Sequence, residues 1–216
     1  MRVVVVTNPS DDTPTEYLQT WVQEVIEAAE KLADTKVHEL KGKDATKKNL
    51  ATLVEKVHPS LILFNGHGDH DCIRGFRGEI LIKADENVAL LEGKIVHALA
   101  CQSARTLGPE AIRIGGLAFL GYRENFKFHH YNKKTATEQK TDPLATLFLQ
   151  PAFIPLLRLV EGKTVEDAFR QSQKLCAENL RMALTSTSTV LNTAVASALY
   201  HNLKHQVLLG EKSASF

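Results

Sequence analysis

The sequence has few of the residues that mark specialised protein classes. Its 216 residues include three cysteines, Cys72, Cys101 and Cys176. They are too few and too widely spaced for a disulfide framework or a structural zinc site. The chain also lacks an excess of either charge, because 26 Lys and Arg residues oppose 25 Asp and Glu residues. Dedicated DNA- and RNA-binding modules carry a strong basic excess, so a nucleic-acid partner is not expected.

Long uninterrupted apolar runs are also missing. The most apolar late stretch, Leu144 to Val160, is broken by two prolines, a glutamine and an arginine, so it is predicted to be too short and too interrupted to span a bilayer. The first strand is predicted to start at Arg2, which leaves no room for a signal peptide. We therefore expect a soluble, cytoplasmic protein with no membrane partner.

The sequence has no phosphate-binding loop of either common glycine-rich type, which argues against nucleotide chemistry. One loop does gather potential metal ligands, namely His67, Asp69, His70, Asp71 and Cys72. Catalytic zinc takes three protein ligands in a defined geometry, and ligands on one loop need matching partners elsewhere. A solvated loop is the simpler interpretation, and we expect no metal and no cofactor.

Strand and helix patterns alternate over the first 126 residues. Continuous apolar runs are typical of strands covered on both faces, and successive βα units predict a mostly parallel sheet with helices on both faces. The predicted strands are residues 3–7, 36–40, 61–64, 95–100 and 117–120. The predicted helices are residues 13–32, 46–57 and 103–114, with a small hairpin over residues 72–82.

The rest of the chain changes character. Residues 127–141 are polar and basic and are predicted to form an exposed loop. The mixture of basic and aromatic residues at Lys127–Lys134 is also of the kind that binds single-stranded nucleic acid, but the exposed loop is the simpler interpretation. Residues 142–216 are predicted to be helical, with helices from Asp142, from Thr164 and over 190–208. No repeat or linker divides the chain, so one domain is expected over residues 1–216.

Two predicted strand ends carry reactive side chains. Ligands and reactive groups of open parallel sheets collect at the carboxyl ends of the strands. His67 follows strand 61–64 within Gly-His-Gly, and Cys101 directly follows strand 95–100. If these strands are neighbours, the two side chains form a Cys/His dyad. The helix predicted from Ser103 would favour the Cys101 thiolate, because positive potential concentrates at helix N-termini.

Two backbone N–H groups, those of Gly68 and Cys101, are predicted to bind the oxyanion of a tetrahedral intermediate. Structural interpretations also exist, because a single cysteine is more often a small buried residue and His67 could hydrogen-bond within a turn. His97 lies inside a predicted core strand and Cys176 on the apolar face of a helix. Both are predicted to be core residues.

The order strand, Asn-Gly-His-Gly, hairpin, strand, Ala-Cys-Gln-Ser-Ala resembles the caspase-like cysteine peptidases, and most of all their bacterial branch with the gingipains and separases. The resemblance covers about residues 1–125. It implies a caspase-like three-layer α/β fold, here with a helical C-terminal extension. It also implies Cys101 as nucleophile, His67 as the acid that protonates the leaving amine, and Gly68 and Cys101 as oxyanion donors.

The resemblance gives less guidance on the substrate pocket. Metacaspases place an acidic residue two positions before the cysteine, where this sequence has Leu99. Caspases present an aromatic–arginine pair after the fifth strand, and Tyr122-Arg123 occupies a comparable place. Asp69 and Glu124 are rival pocket residues, which would favour a basic substrate side chain.

The favoured hypothesis is a cysteine endopeptidase that cleaves protein or peptide substrates through an acyl-enzyme intermediate. An alternative is a catalytically inactive caspase-like scaffold, whose helical C-terminal third binds a regulatory protein partner. A third is a flavodoxin-like regulatory domain, in which the positions of His67 and Cys101 are coincidental.

Overall fold

The computed structural model describes residues 2–185 and 190–216, which are built around a six-stranded sheet. The strands are β1 (Arg2–Asn8), β2 (Thr35–Lys41), β3 (Leu61–Asn65), β4 (Cys72–Arg74), β5 (Ile80–Lys83), β6 (Ile95–Leu99), β7 (Ala118–Tyr122) and β8 (Gln206–Gly210). The main sheet has the order β2-β1-β3-β6-β7-β8, parallel except for β8, which runs antiparallel to β7. The predicted hairpin is confirmed as the antiparallel pair β4 and β5.

Helices cover both faces of this sheet, as predicted. They are α1 (Thr13–Glu30), α2 (Lys47–Val57), α3 (Leu107–Arg113), α4 (Ala136–Lys140), α5 (Pro143–Val160), α6 (Val165–Thr185) and α7 (Val190–His205). Alternate strand residues point to opposite faces, so Val4 and Val6 pack with α1 and α5 while Val5 packs with α2. Burial on both faces explains why the central strands are continuous apolar runs.

The neighbouring positions of β3 and β6 decide where the candidate residues lie. The two strands pair in parallel, with Asn65 opposite Leu99 at their carboxyl ends. His67 and Cys101 each follow two residues later. The chain therefore leaves both strands at the same edge of the sheet, as the sequence predicts.

The helix predicted from Ser103 begins later, at Leu107. Residues 101–106 form turns whose backbone N–H groups bond to other parts of the fold. The N–H of Ala104 donates to the Tyr122 carbonyl at 3.1 Å, and that of Thr106 to the His70 carbonyl at 2.9 Å. Tertiary hydrogen bonds therefore replace the first turn of the predicted helix.

The end of the predicted last helix is also different. Residues 206–210 form β8, the strand at the edge of the sheet beside β7. Val207 and Leu208 pack on opposite faces of the sheet, which is the alternation of a strand. No glycine or proline separates α7 from β8, so pairing with β7, and not a local break signal, decides this conformation.

Helix α5 is long and apolar enough to cross a membrane by length and composition, but 61% of it is buried inside the domain. It contains Pro151 and Pro155, and a proline removes the hydrogen bond to the carbonyl four residues earlier. Two buried side chains of α6 replace these bonds. Asn179 Nδ2 donates to the Leu147 carbonyl at 2.8 Å, and Ser172 Oγ to the Pro151 carbonyl at 2.6 Å.

Replacement of Ser172 by alanine is expected to destabilise the domain. The variant S172A leaves the buried Pro151 carbonyl without its donor, which costs about 1–3 kcal/mol in the free energy of unfolding. The matched control is S197A on the exposed face of α7, where the change is expected to stay within about 0.5 kcal/mol. Urea denaturation measures both, and equal stability of the two variants would contradict the role assigned to Ser172.

Candidate active site

His67 and Cys101 line the same groove, which has a volume of about 380 Å³. It lies at the carboxyl ends of β3 and β6. Its other walls come from the first turns of α1, from the end of β6 and from residues 126–129. The sequence predicts that His67 and Cys101 lie at one edge of the sheet. In the structure they also line one groove.

The backbone after His67 lies directly against the backbone of Cys101. A Cβ atom on Gly68 would lie 2.6 Å from the Cys101 carbonyl oxygen and 2.9 Å from the Ala100 Cβ atom. Such distances are far inside van der Waals contact, so only glycine permits this approach. The two strand ends are therefore packed backbone to backbone at the site.

The N–H of Gly68 points out of the adjoining hairpin. The residues on either side make the cross-strand bonds, from the Arg74 N–H to the His67 carbonyl at 2.8 Å and from the Asp69 N–H to the Cys72 carbonyl at 2.9 Å. Gly68 and Ile73 are consequently a non-hydrogen-bonded antiparallel pair, whose N–H groups point away from each other. This geometry is compatible with the predicted oxyanion role of Gly68.

A carboxylate that the sequence analysis missed contacts His67. Asp12 Oδ2 lies 2.5 Å from His67 Nε2, and the same side chain caps α1 by accepting the Thr15 N–H at 2.9 Å. Burial raises the pKa of Asp12, but the hydrogen bonds from Thr15 and His67 outweigh it and hold the pKa below its ordinary value. Asp12 is therefore ionised near neutral pH. Its position just after β1, at the edge where the parallel strands end, is the signal that could have identified it.

Cys101 is partly buried, which disfavours its thiolate. Burial raises the pKa of its thiol, although hydrogen bonds from the backbone N–H groups of Phe126 and of Cys101 itself act in the opposite direction. The predicted helix N-terminus does not contribute, because α3 begins six residues after Cys101 and is only seven residues long. Backbone N–H groups from a loop take the place expected for a helix end.

The groove wall, residues 126–129, is held by a side chain of the helical C-terminal part. Asn202 of α7 accepts the Lys127 N–H at 2.9 Å and donates to the Lys127 carbonyl at 2.6 Å. This is the pair of bonds that a neighbouring strand would make. The extended backbone of the wall is therefore fixed although it belongs to no sheet.

Alternate side chains of this region turn inwards. Phe126 and Phe128 pack against the core, with ring centroids 5.9 Å apart, and the row continues to His130 and to Tyr17 of α1. Most of residues 127–141 are exposed, as expected for the predicted loop, but Phe128 turns inwards and the segment contains α4. Apolar residues at every second position bury one side of an extended chain, and the rings of Phe126 and Phe128 remain half-buried at the groove.

A buried carboxylate, Asp142, connects this segment to two helices. Its two oxygens accept four hydrogen bonds, from the N–H groups of Leu144 and Ala145 and from the Tyr131 N–H and the Tyr17 hydroxyl. Burial raises the pKa of Asp142, but these bonds outweigh it and hold the pKa below its ordinary value. Burial and the neighbouring Asp142 raise the pKa of Tyr17 to about 12.

The four residues proposed from sequence for the substrate pocket lie outside this groove. Tyr122 is buried in the core, where its hydroxyl accepts a hydrogen bond from Gln206. Arg123 lines a different groove beside β8. Asp69 is exposed at the start of the hairpin loop, and the Glu124 backbone carbonyl accepts the Gln102 N–H.

The remaining histidine and cysteine candidates lie away from the groove. His97 is buried in β6, where burial lowers its pKa to about 4, and burial raises the pKa of Cys176 to about 11. Both are core residues, as expected. Within residues 2–185 and 190–216, no three His, Cys, Asp or Glu side chains are grouped as a metal site would require.

Solved structures with the same fold cover nearly the whole chain. The crystal structure of the Arg-specific cysteine proteinase gingipain R matches with a TM-score of 0.58 and 11% identity, over 99% of this chain and 47% of that one. The complex of the RgpB pro- and mature domains of Porphyromonas gingivalis matches with a TM-score of 0.60 and 12% identity, over 98% and 47%. A structure named only as a protease has a TM-score of 0.53 and 10% identity, over 99% and 48%.

This similarity shows the fold. The chain has the caspase-like α/β architecture of the gingipain R cysteine proteinases, and the predicted fold class is confirmed. The chain spans about half the length of these proteins. Its sequence matches no protein-family model and no curated protein.

Substitution of Asp142 by asparagine is expected to destabilise the domain by about 2–4 kcal/mol at neutral pH. Each carboxylate oxygen of Asp142 faces two donors, so an amide NH₂ would oppose two of them in either orientation. Because folding lowers the pKa, the contribution of Asp142 is complete above the unfolded value near 4 and is lost as pH falls through the folded pKa. Thermal denaturation between pH 3 and 7 measures it, and D142N should show a shallower acid dependence.

The control for this prediction is D44N, at an exposed carboxylate after β2. Its stability is expected to change by less than about 0.5 kcal/mol. A D142N protein that matches D44N in both stability and acid dependence would contradict the role of Asp142.

Proposed function

We propose that this chain is a cysteine-type endopeptidase in which Cys101 is the nucleophile and His67 is the general acid and base. The supporting observation is the junction of the two strand ends. Gly68 packs on the Cys101 backbone, and His67 and Cys101 line one groove. The caspase-like fold shared with cysteine proteinases supports the same reaction.

Asp12 is the positioning residue for His67 in this proposal. An ionised carboxylate only accepts hydrogen bonds, so the contact with Asp12 places a proton on His67 Nε2. The other ring nitrogen, Nδ1, then remains to exchange a proton with the reacting groups. A fixed tautomer of this kind is what a general acid and base requires.

The reaction begins with transfer of the Cys101 thiol proton to His67, because burial raises the pKa of this thiol. The sulfur attacks the peptide carbonyl carbon and the carbonyl π electrons move to oxygen. The N–H groups of Gly68 and Cys101 bind this oxyanion, and each such donor typically contributes about 10²–10³ in rate. His67 then gives its proton to the leaving amine, and water activated by His67 hydrolyses the thioester to free the acid and the thiol.

Substitution of Cys101 by alanine is expected to abolish peptide hydrolysis, because Cys101 supplies the only thiol among the described residues that line the groove. The variant C101A should keep the melting temperature of the parent within a few degrees, since the side chain is only partly buried. Turnover of a mixed fluorogenic peptide library measures the effect. The control C176A changes a buried cysteine that does not line the groove and should keep its activity. Equal hydrolysis by C101A and C176A would refute the assignment.

Substitution of Asp12 by asparagine tests the positioning role. Asparagine is as good a helix N-cap as aspartate, so D12N should retain α1 while losing the charge that fixes the His67 tautomer. We expect kcat to fall by at least about tenfold with little change in KM. The neighbouring variant D11N is the control, since Asp11 bonds to the Arg77 backbone instead. An unchanged kcat in D12N would remove Asp12 from the mechanism.

A further inference from the structure

The groove beside Cys101 has an apolar floor and an apolar wall. Leu18 of α1 and Leu99 of β6 line it and are only 5% and 1% exposed. The rings of Phe126 and Phe128 line the opposite side and are fixed by packing against the core. Two of these side chains belong to α1 and β6. The other two belong to the groove wall, residues 126–129, whose backbone is hydrogen-bonded by Asn202.

No carboxylate lines this groove among the residues that the structure describes. Asp12, the acidic residue bonded to His67, is already committed to that ring and to the Thr15 N–H. A lysine or arginine side chain entering the groove would therefore lose hydration without gaining an anionic partner. Burial of an unpaired charge is strongly unfavourable.

Cationic groups at the groove offer little to an acidic substrate. Lys127 lines the groove but its side chain is exposed, and exposed ion pairs contribute little to binding. His129 packs its ring on Phe148, with centroids 5.6 Å apart. The desolvation of an acidic side chain against Leu99 and the phenylalanine rings is not offset by a buried cation.

The position of Leu99 identifies which substrate residue meets this surface. Leu99 is the last residue of β6, and both Leu99 and Cys101 line the groove where the chain leaves this strand. The carbon that Cys101 attacks is bonded to the α-carbon of the acyl residue, whereas the amine must face His67. In this orientation the side chain of the acyl residue enters the groove that Leu99 and Cys101 line.

We propose that this groove selects a large apolar side chain, such as Leu, Met or Phe, on the substrate residue whose carbonyl Cys101 attacks. The inference rests on the proposed peptidase function and names its substrate class. Leu18, Leu99, Phe126 and Phe128 determine the specificity. A volume of about 380 Å³ is sufficient for a side chain of this size.

The test is a set of peptidyl acyloxymethyl ketones that differ only in the residue next to the electrophile: Leu, Met, Phe, Ala, Arg, Lys or Asp. The second-order rate of adduct formation at Cys101 is measured by intact mass and site mapping. Reagents with Leu, Met or Phe are expected to react at least about tenfold faster than those with Ala, Arg, Lys or Asp.

The outcomes of this test distinguish the proposed apolar preference from the proposed peptidase reaction. Faster labelling by the Arg, Lys or Asp reagents, with the adduct still at Cys101, would overturn the apolar preference and leave the peptidase proposal standing. Absence of a Cys101 adduct with every reagent would overturn both.

A variant pair locates the preference on the wall. F128A removes one apolar side of the groove, so the advantage of the Leu and Phe reagents over the Ala reagent should fall by at least about fivefold. Y131A removes an exposed aromatic side chain of the same segment that does not line the groove and should leave the selectivity unchanged. Equal selectivity in F128A and Y131A would exclude the wall. If F128A does not fold, the reagent profile of the parent chain decides the proposal.

Discussion

The contact between Gly68 and the backbone of Cys101 is the constraint around which the candidate site is built. The parallel strands β3 and β6 end at the same edge of the sheet, but this pairing alone would not bring the loops after them into contact. The absence of a side chain at Gly68 lets the two loops touch, with no room for even a methyl group. The groove, the hairpin that continues from Gly68 and the placement of His67 all follow from this approach.

The helical C-terminal part is as important to the groove as the sheet. The wall at residues 126–129 has no strand partner, and its backbone bonds go instead to Asn202 of α7. Asp142 at the start of α5 and Tyr17 of α1 fix the next stretch of chain. The side chains that define the apolar groove are therefore positioned by elements from both ends of the sequence. A site that is assembled in this way depends on packing across the whole domain.

The sequence predicts the sheet well because its strands are buried on both faces and its connections follow regular βα units. It also predicts that His67 and Cys101 leave the sheet at one edge, which depends only on the order of β3 and β6. Strand order does not predict which groups donate hydrogen bonds to the Cys101 sulfur. The expected helix end is replaced by the Phe126 backbone, which reaches Cys101 through a tertiary contact. Likewise, β8 forms by pairing with the edge of β7. Asp12 follows β1 and contacts His67, which follows β3, so this contact depends on the pairing of β1 with β3.

The two prolines of α5 have a consequence for the way the domain opens. A helix that lacks two of its internal hydrogen bonds, and whose freed carbonyls are bonded by Asn179 and Ser172, is not complete without its neighbour. Displacement of α6 would break both hydrogen bonds at once, and a carbonyl that stayed buried would then lack a donor, which makes partial detachment costly. Helices α5 and α6 should therefore behave as one cooperative unit, whose amide protons exchange with solvent in the same opening event.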